Sequence, residues 1–157
     1  MTPAIRLLQQ LKMPHQVHEY QHDSHANSYG LEAAEKLNLN PSEVFKTLVV
    51  ETHKQQLAVA VVPVCGKLNL KAMAKALKVK KITMADAKKV ERITGYVLGG
   101  VSPLGQKRKL PTVIHASAQS LKYMYISGGK RGLDISLAPN DLQRALSAQF
   151  AAIGQLN

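Results

Sequence analysis

Three stretches of the chain carry residue types suited to work on a phosphate or an ester. The first is Glu43-Val44-Phe45-Lys46-Thr47, running into Leu48-Val49-Val50. Lys46 is the only base between Lys36 and Lys54. It stands where a turn meets an apolar run, so its ammonium can project from a strand end into a cleft and hold a phosphate as a point charge. A surface lysine laying its stem over apolar neighbours is the plainer reading, and this segment alone favours it. The second stretch is Gly95 to Gly105, with Gly99-Gly100-Val101-Ser102-Pro103-Leu104 inside it. Paired glycines let the backbone approach a ligand closely. Their N–H groups suit a carbonyl or phosphate oxygen. An ordinary glycine turn has the same pattern. A nucleotide-binding Gly-Lys-Ser/Thr does not follow, and Leu104 stands where a nucleophile elbow needs its second glycine. The third is Ser127-Gly128-Gly129-Lys130-Arg131-Gly132-Leu133-Asp134. Gly128-Gly129 between two apolar segments reads as a hairpin turn. Ser127 and Asp134 then set a hydroxyl and a carboxylate beside one cleft, unless Asp134 simply pairs with Arg131.

Two other features invite chemistry and carry less. His15, His18, His22 and His25 fall within eleven residues. In an extended segment His15 and His18 point to opposite faces, and the spacing of a familiar zinc site is missing. No metal and no cofactor is expected. Cys65 follows the most apolar run of the chain and reads as a buried, inert thiol.

These stretches need elements to hold them. Residues 3–12 fit a helix with Ile5, Leu8 and Leu11 on one face and Pro3 in its first turn. His15 to Tyr20 reads as extended. Ser28 is placed to cap a helix over 30–37, with Leu31, Ala34 and Leu37 inward. Residues 47–52 and 57–62 read as two strands joined by the turn 53–56, the second apolar enough to be buried on both faces. Asn69 caps a helix over 70–78, with Leu70, Met73, Ala74 and Leu77 on its apolar face and Lys71, Lys75 and Lys78 together on another. A helix over 85–92, strands over 112–115, 122–127 and 133–137, and a helix opening at Pro139 complete the pattern. Strands and short helices alternate without a regular βαβ rhythm. The expected fold is α+β: a single domain over 1–157 with a mixed, mostly antiparallel sheet or open barrel among short helices.

Composition narrows the function. The chain has 157 residues, 45% apolar and 4% aromatic, with one cysteine. Disorder, a disulfide scaffold and a membrane span are excluded as readings. The first residues lack a signal peptide's long apolar segment, so the cytoplasm is the expected compartment. Net charge is +11. Residues 1–51 hold four bases and six acids, while residues 52–157 hold 17 bases and four acids. A positive face built by the later two-thirds suits a polyanion, nucleic acid first.

Lys46-Thr47 entering a strand, Gly99 to Gly105, and Ser127-Gly128-Gly129 with Asp134 together resemble the YbaK family of aminoacyl-tRNA deacylases. That family is related to the editing domain of bacterial prolyl-tRNA synthetases. The resemblance spans nearly the whole chain. It implies hydrolysis of mischarged tRNA, with Cys-tRNA(Pro) as the substrate, Cys-tRNA(Cys) as a second candidate, and prolyl-tRNA synthetase as a candidate partner. Lys46 is then the key lysine, and Tyr20, Thr47, Gly99, Gly100, Val101, Ser102, Ser127 and Asp134 line the pocket. In the cysteine-specific branch the substrate's own thiol attacks the ester. The residues themselves offer no convincing protein nucleophile. Lys71, Lys75 and Lys78 are candidates for the tRNA body. A deacylase for another small amino acid, a non-catalytic tRNA-binding module and a small-molecule enzyme with a phosphate loop remain alternatives.

Overall fold

The computed structural model describes residues 1–25 and 29–156, with the side chain of Tyr29 left aside. The proposed cap Ser28 lies outside the described residues.

The apolar run Leu57–Pro63 forms β3, the middle strand of a five-stranded sheet. It is antiparallel to β2 (Phe45–Thr52) through the expected turn, where Gln55 takes a positive φ of 63°. On the other side β3 runs parallel to β6 (Thr112–His115), which runs parallel to β9 (Gln149–Ala151). The outer edge of β2 is only partly covered. β5 (Ile82–Met84) pairs with Val50, Glu51 and Thr52 alone, and a neighbouring strand touches the other end only at Val44, so among the described residues no strand pairs with residues 46–48 on that edge. That gap is where the site forms.

Alternation along the strands builds two cores. Phe45, Val49, Val59, Val61 and Ile114 face α1 (Pro3–Gln10) and α5 (Pro139–Leu146). Val50, Ala58, Ala60, Val62 and Val113 face α3 (Leu70–Leu77). A three-stranded antiparallel sheet, ordered β1 (Gln16–Glu19), β8 (Leu133–Leu137), β7 (Met124–Lys130), closes the first core with Met124, Ile126, Ile135 and Leu137. A third core of Ala33, Ala34, Val44 and Val64 lies under α2 (Tyr29–Lys36). The three-residue strands β4 (Gly66–Leu68) and β10 (Gly154–Leu156) pair with each other. Among the described residues five of the seven strand pairings are antiparallel, so the mixed, mostly antiparallel α+β fold is as expected.

Local chemistry accounts for the helix starts. Thr2 Oγ1 accepts the Ile5 N–H (3.3 Å), Asn69 Oδ1 the Ala72 N–H (3.0 Å) and Asp86 Oδ1 the Lys89 N–H (3.0 Å). Asp86 therefore starts α4 (Ala87–Thr94) two residues later than the expected 85. Four further expectations fail. Leu11 caps the end of α1 and is exposed, Leu31 is exposed because α2 turns Ala33 and Ala34 inward, and Leu70 is exposed because α3 buries Met73 and Ala74 instead. Gly128-Gly129 is not the hairpin turn. The pair sits inside β7 as an irregularity between Ser127 and Lys130, and the chain reverses at Arg131-Gly132, where Gly132 has φ +86°.

Candidate active site

A cavity of about 490 Å³ opens at the uncovered edge of β2. Residues 45–48 form one wall, and Leu98, Gly99 and Val101 another. Ser127, Lys130, Arg131 and Asp134 come from the β7–β8 hairpin, Tyr20 follows β1, and Gly30 and Ala33 belong to α2. Five chain segments thus converge on one volume.

Lys46 is half-buried at the start of β2. Its Nζ donates to the Gly66 carbonyl oxygen (2.9 Å), which uses one of an ammonium's three donors. Burial holds its pKa below the ordinary lysine range, and Lys67 pushes the same way against Cys65. Cys65 is therefore not sealed in the core as expected. It is part-exposed in the β3–β4 turn, close enough to Lys46 to act on its charge. Thr47 Oγ1 is buried without a hydrogen-bond partner among the described residues. Backbone groups along a strand alternate sides, and Val49 already sends its carbonyl outward to the Ala85 N–H (3.0 Å). The main chain of Thr47 accordingly faces the open edge.

Asp134 lies directly opposite Ser127 in the β7–β8 ladder. It is buried, and that burial pushes its carboxyl up to about 7. Arg131 sends Nη2 to the Leu98 carbonyl oxygen (2.8 Å), tying the glycine loop to the β7–β8 turn. Ser127 Oγ accepts the Gly129 N–H (3.1 Å). Tyr20 donates its N–H to the Gly132 carbonyl oxygen (3.0 Å). Its hydroxyl is pushed up to about 12, first by burial and then by Asp134.

The glycine loop divides. Gly99 (φ +87°) and Val101 line the cavity. Gly100 and Ser102 stand behind the wall, contrary to the expected lining. The Gly100 N–H donates to Val97 (2.9 Å), and a Cβ on Gly100 would come within 2.9 Å of Lys130 Cα. Ser102 is fully buried, and its Oγ accepts the Leu104 N–H (3.2 Å). Both residues shape the loop instead of offering donors to a ligand. Lys130, Arg131 and Leu98 were not singled out as site residues. The basic pair inside the third motif was the available signal for the first two. Gly30 and Ala33 had no signal at all.

Lys71, Lys75 and Lys78 lie outside the cavity, exposed on α3, which follows the β4 strand carrying Gly66. The histidines are spread over separate tasks. His15 Nδ1 contacts the Met13 carbonyl oxygen (2.7 Å), His18 Nε2 the Ser136 hydroxyl (2.8 Å) and His22 the Glu32 carboxylate (2.7 Å). Among the described residues no group of three His, Cys, Asp or Glu could hold a metal ion.

The family profile described as the aminoacyl-tRNA editing domain matches residues 25–145. EbsC of Enterococcus faecalis, provisionally named a Cys-tRNA(Pro)/Cys-tRNA(Cys) deacylase, is 38% identical over 153 residues, covering 97% of this chain and 92% of that protein. The crystal structure of a hypothetical protein, APE2540, shares the fold at TM-score 0.88 and 25% identity, over 98% of this chain and all of that one. A candidate trans-editing enzyme for prolyl tRNA synthetase, also of known structure, is similar at TM-score 0.83 and 21% identity over 99% of both chains, a likeness of fold.

Proposed function

Because the chain belongs to the aminoacyl-tRNA editing domain family, we propose that it is a trans-editing deacylase that removes cysteine from tRNA(Pro), with Cys-tRNA(Cys) as a second substrate. The whole chain acts as one deacylase domain in the cytoplasm, in reach of prolyl-tRNA synthetase.

The observation that supports this reading best is the composition of the cavity. It gathers cations (Lys46, with Lys130 and Arg131), a buried acid (Asp134), a tyrosine and a glycine loop, with no activated nucleophile among the described residues. Among the described residues no histidine or carboxylate is hydrogen-bonded to the hydroxyl of Ser127 or Thr47 to serve as its base, and Ser102 is shut behind the loop. The nucleophile then comes with the substrate. The cysteinyl thiol gives up its proton, and its sulfur attacks the ester carbonyl carbon. A C–S bond forms, the bond to the ribose oxygen breaks, and that oxygen takes a proton. The cyclic thiolactone is opened by water to free cysteine.

The protein's share is positioning. An aminoacyl ester is already activated, and holding thiol and carbonyl in attack geometry gives effective molarities of roughly 10⁵ M or more in good cases. Lys46 holds the phosphate next to the terminal adenosine. Asp134 meets the α-ammonium, Tyr20 and Ser127 flank it, and Thr47, Gly99 and Val101 bound the acyl group. Lys71, Lys75 and Lys78 bind the tRNA body.

The test is a deacylation panel with purified protein: tRNA(Pro) carrying Cys, Ser, Ala or Pro, and Cys-tRNA(Cys). Rapid loss of cysteine with a poor serine ester supports the reading. Preferred loss of alanine makes the protein a deacylase for another small residue, and binding without turnover makes it a tRNA-binding module.

A further inference from the structure

A second concavity, of about 460 Å³, lies at the other end of β2 from Lys46. Its floor is apolar, with Leu57, Ile93 and Leu110, and its rim carries Lys89, Arg92, Arg108 and Lys109. Glu51 is engaged there, its carboxylate accepting from Lys89 Nζ (2.7 Å). Asp86 caps α4 by accepting the Lys89 N–H, and Lys89 and Arg92 lie close enough to help hold its carboxyl below the usual aspartate range. Among the described residues neither Arg92 nor Arg108 has a carboxylate at salt-bridge distance, and both are exposed. Cations gathered around a hollow repel one another, and an anion seated among them removes that cost.

Two observations indicate which anion. Glu51 lies five residues along β2 from Lys46, roughly 17 Å at strand rise. That is beyond the reach of the terminal nucleotide whose ester Lys46 serves. A run of basic residues also approaches the pocket from the other face of the large sheet. Exposed Lys71, Lys75 and Lys78 on α3 lead to exposed Lys80 and Lys81. The Lys81 carbonyl oxygen accepts the His53 N–H (3.1 Å), which sets this pair beside the turn carrying Gln55 and Gln56 on the pocket rim. A path of cations ending in a cationic hollow suits a ligand whose charges also follow a line.

We propose that this pocket is a second RNA anchor, taking backbone phosphates of the double-helical part of the same aminoacyl-RNA whose 3′ end enters the Lys46 cavity. The proposal rests on the deacylase reading for its substrate. Arginine guanidinium groups grip phosphate oxygens through two parallel donors, and the apolar floor accepts the sugar edge. The pocket thus measures the distance between the helix and the scissile ester, and favours a chain that ends in an unpaired segment of the right length.

The test uses the full-length protein and the double substitution Arg92→Ala/Arg108→Ala, with circular dichroism and a thermal melt as fold controls. Deacylation is measured on full-length Cys-tRNA(Pro) and on cysteinyl-adenosine, which has no helix. The expected result is a KM for the tRNA raised roughly tenfold or more, and a salt slope flattened by about one to two. kcat on tRNA and hydrolysis of cysteinyl-adenosine should not change. Arg92→Lys/Arg108→Lys should recover most of the salt slope and part of the affinity. Unchanged KM and salt slope in a folded alanine variant overturn the anchor. So does saturable binding of inorganic pyrophosphate at the pocket together with tRNA kinetics indifferent to the substitution, which marks a small-polyphosphate site. If the wild type deacylates nothing, the functional reading falls separately, and filter binding of uncharged tRNA by both proteins still decides the anchor.

Discussion

Replacing Asp134 with asparagine should make the protein more stable and less active, and the gain in stability should depend on pH. The carboxyl sits opposite Ser127 on a strand whose residues are all buried, and burial lifts it to about 7. In the unfolded chain an aspartate titrates near roughly 3.9. A difference of about three pH units at about 1.4 kcal/mol each gives a cost of about 4 kcal/mol. The sign follows from the raised folded value. Below about pH 4 both states are protonated and the cost is absent. Between about 4 and 7 the unfolded state loses its proton first, so native stability falls as pH rises. Above about 7 the full cost stands. Asparagine has nearly the same shape and no titration. The assay is urea unfolding of both proteins at half-unit steps from pH 4 to 9, reading the difference in unfolding free energy so that every other titrating group cancels. That difference should grow in favour of the variant across the window and level off above about 7. At neutral pH the gain should reach several kcal/mol, on the order of 10 °C in Tm for a chain of this size. Turnover of the cysteinyl ester should fall by roughly ten- to a hundredfold, since a charge-assisted contact is worth about 1.5–3 kcal/mol. A difference that is flat with pH would refute the buried, high-pKa carboxyl, and a fully active variant would remove Asp134 from substrate binding.

Lys46→Ala should lower kcat/KM by roughly one to two decades with the melt unchanged, and Lys46→Arg should rescue only in part, because a planar fork cannot replace a compact ammonium at the Gly66 carbonyl. Cys65→Ala should keep most of the activity, and Ser-tRNA(Pro) should be a very poor substrate because an alcohol is essentially un-ionised where a thiol titrates near roughly 8.5; complete loss in a folded Cys65→Ala would move the nucleophile to the protein. Removing residues 154–157 should reduce activity through Lys46, since β10 pairs with the strand that supplies Gly66 and His115 Nδ1 holds the Ile153 and Gly154 N–H groups (3.1 and 3.0 Å). In a Lys46→Ala background the same truncation should then cost little more, and additive losses would show a general effect on the fold. Changing Lys71, Lys75 and Lys78 to alanine should weaken tRNA binding and flatten its salt dependence by about one for each phosphate no longer neutralised, read by filter binding across a salt series.

Much of the frame was legible from local pattern. The apolar run 57–62 could only be a strand covered on both faces, and it became the middle of the large sheet. Asn69 capped its helix because a short polar side chain satisfies an orphan N–H wherever a helix begins there. The resemblance directed attention to Lys46, Tyr20, Gly99, Ser127 and Asp134, and these residues do border one cavity. Local pattern could not say what each face would meet. Strands of three residues such as Gly66–Leu68 and Gly154–Leu156 are too short to show a period, yet their pairing sets the carbonyl that Lys46 grips. Gly128-Gly129 reads as a turn by type, and only the register of β7 on β8 makes it a bulge and moves the reversal to Gly132. Gly99 and Gly100 are indistinguishable as letters. Packing against Lys130 puts one behind the wall and leaves the other facing the cavity. The charge of Asp134 is the same kind of case: an aspartate in the sequence carries its ordinary acidity, and only the tertiary structure, by taking away its water, moves it to neutrality.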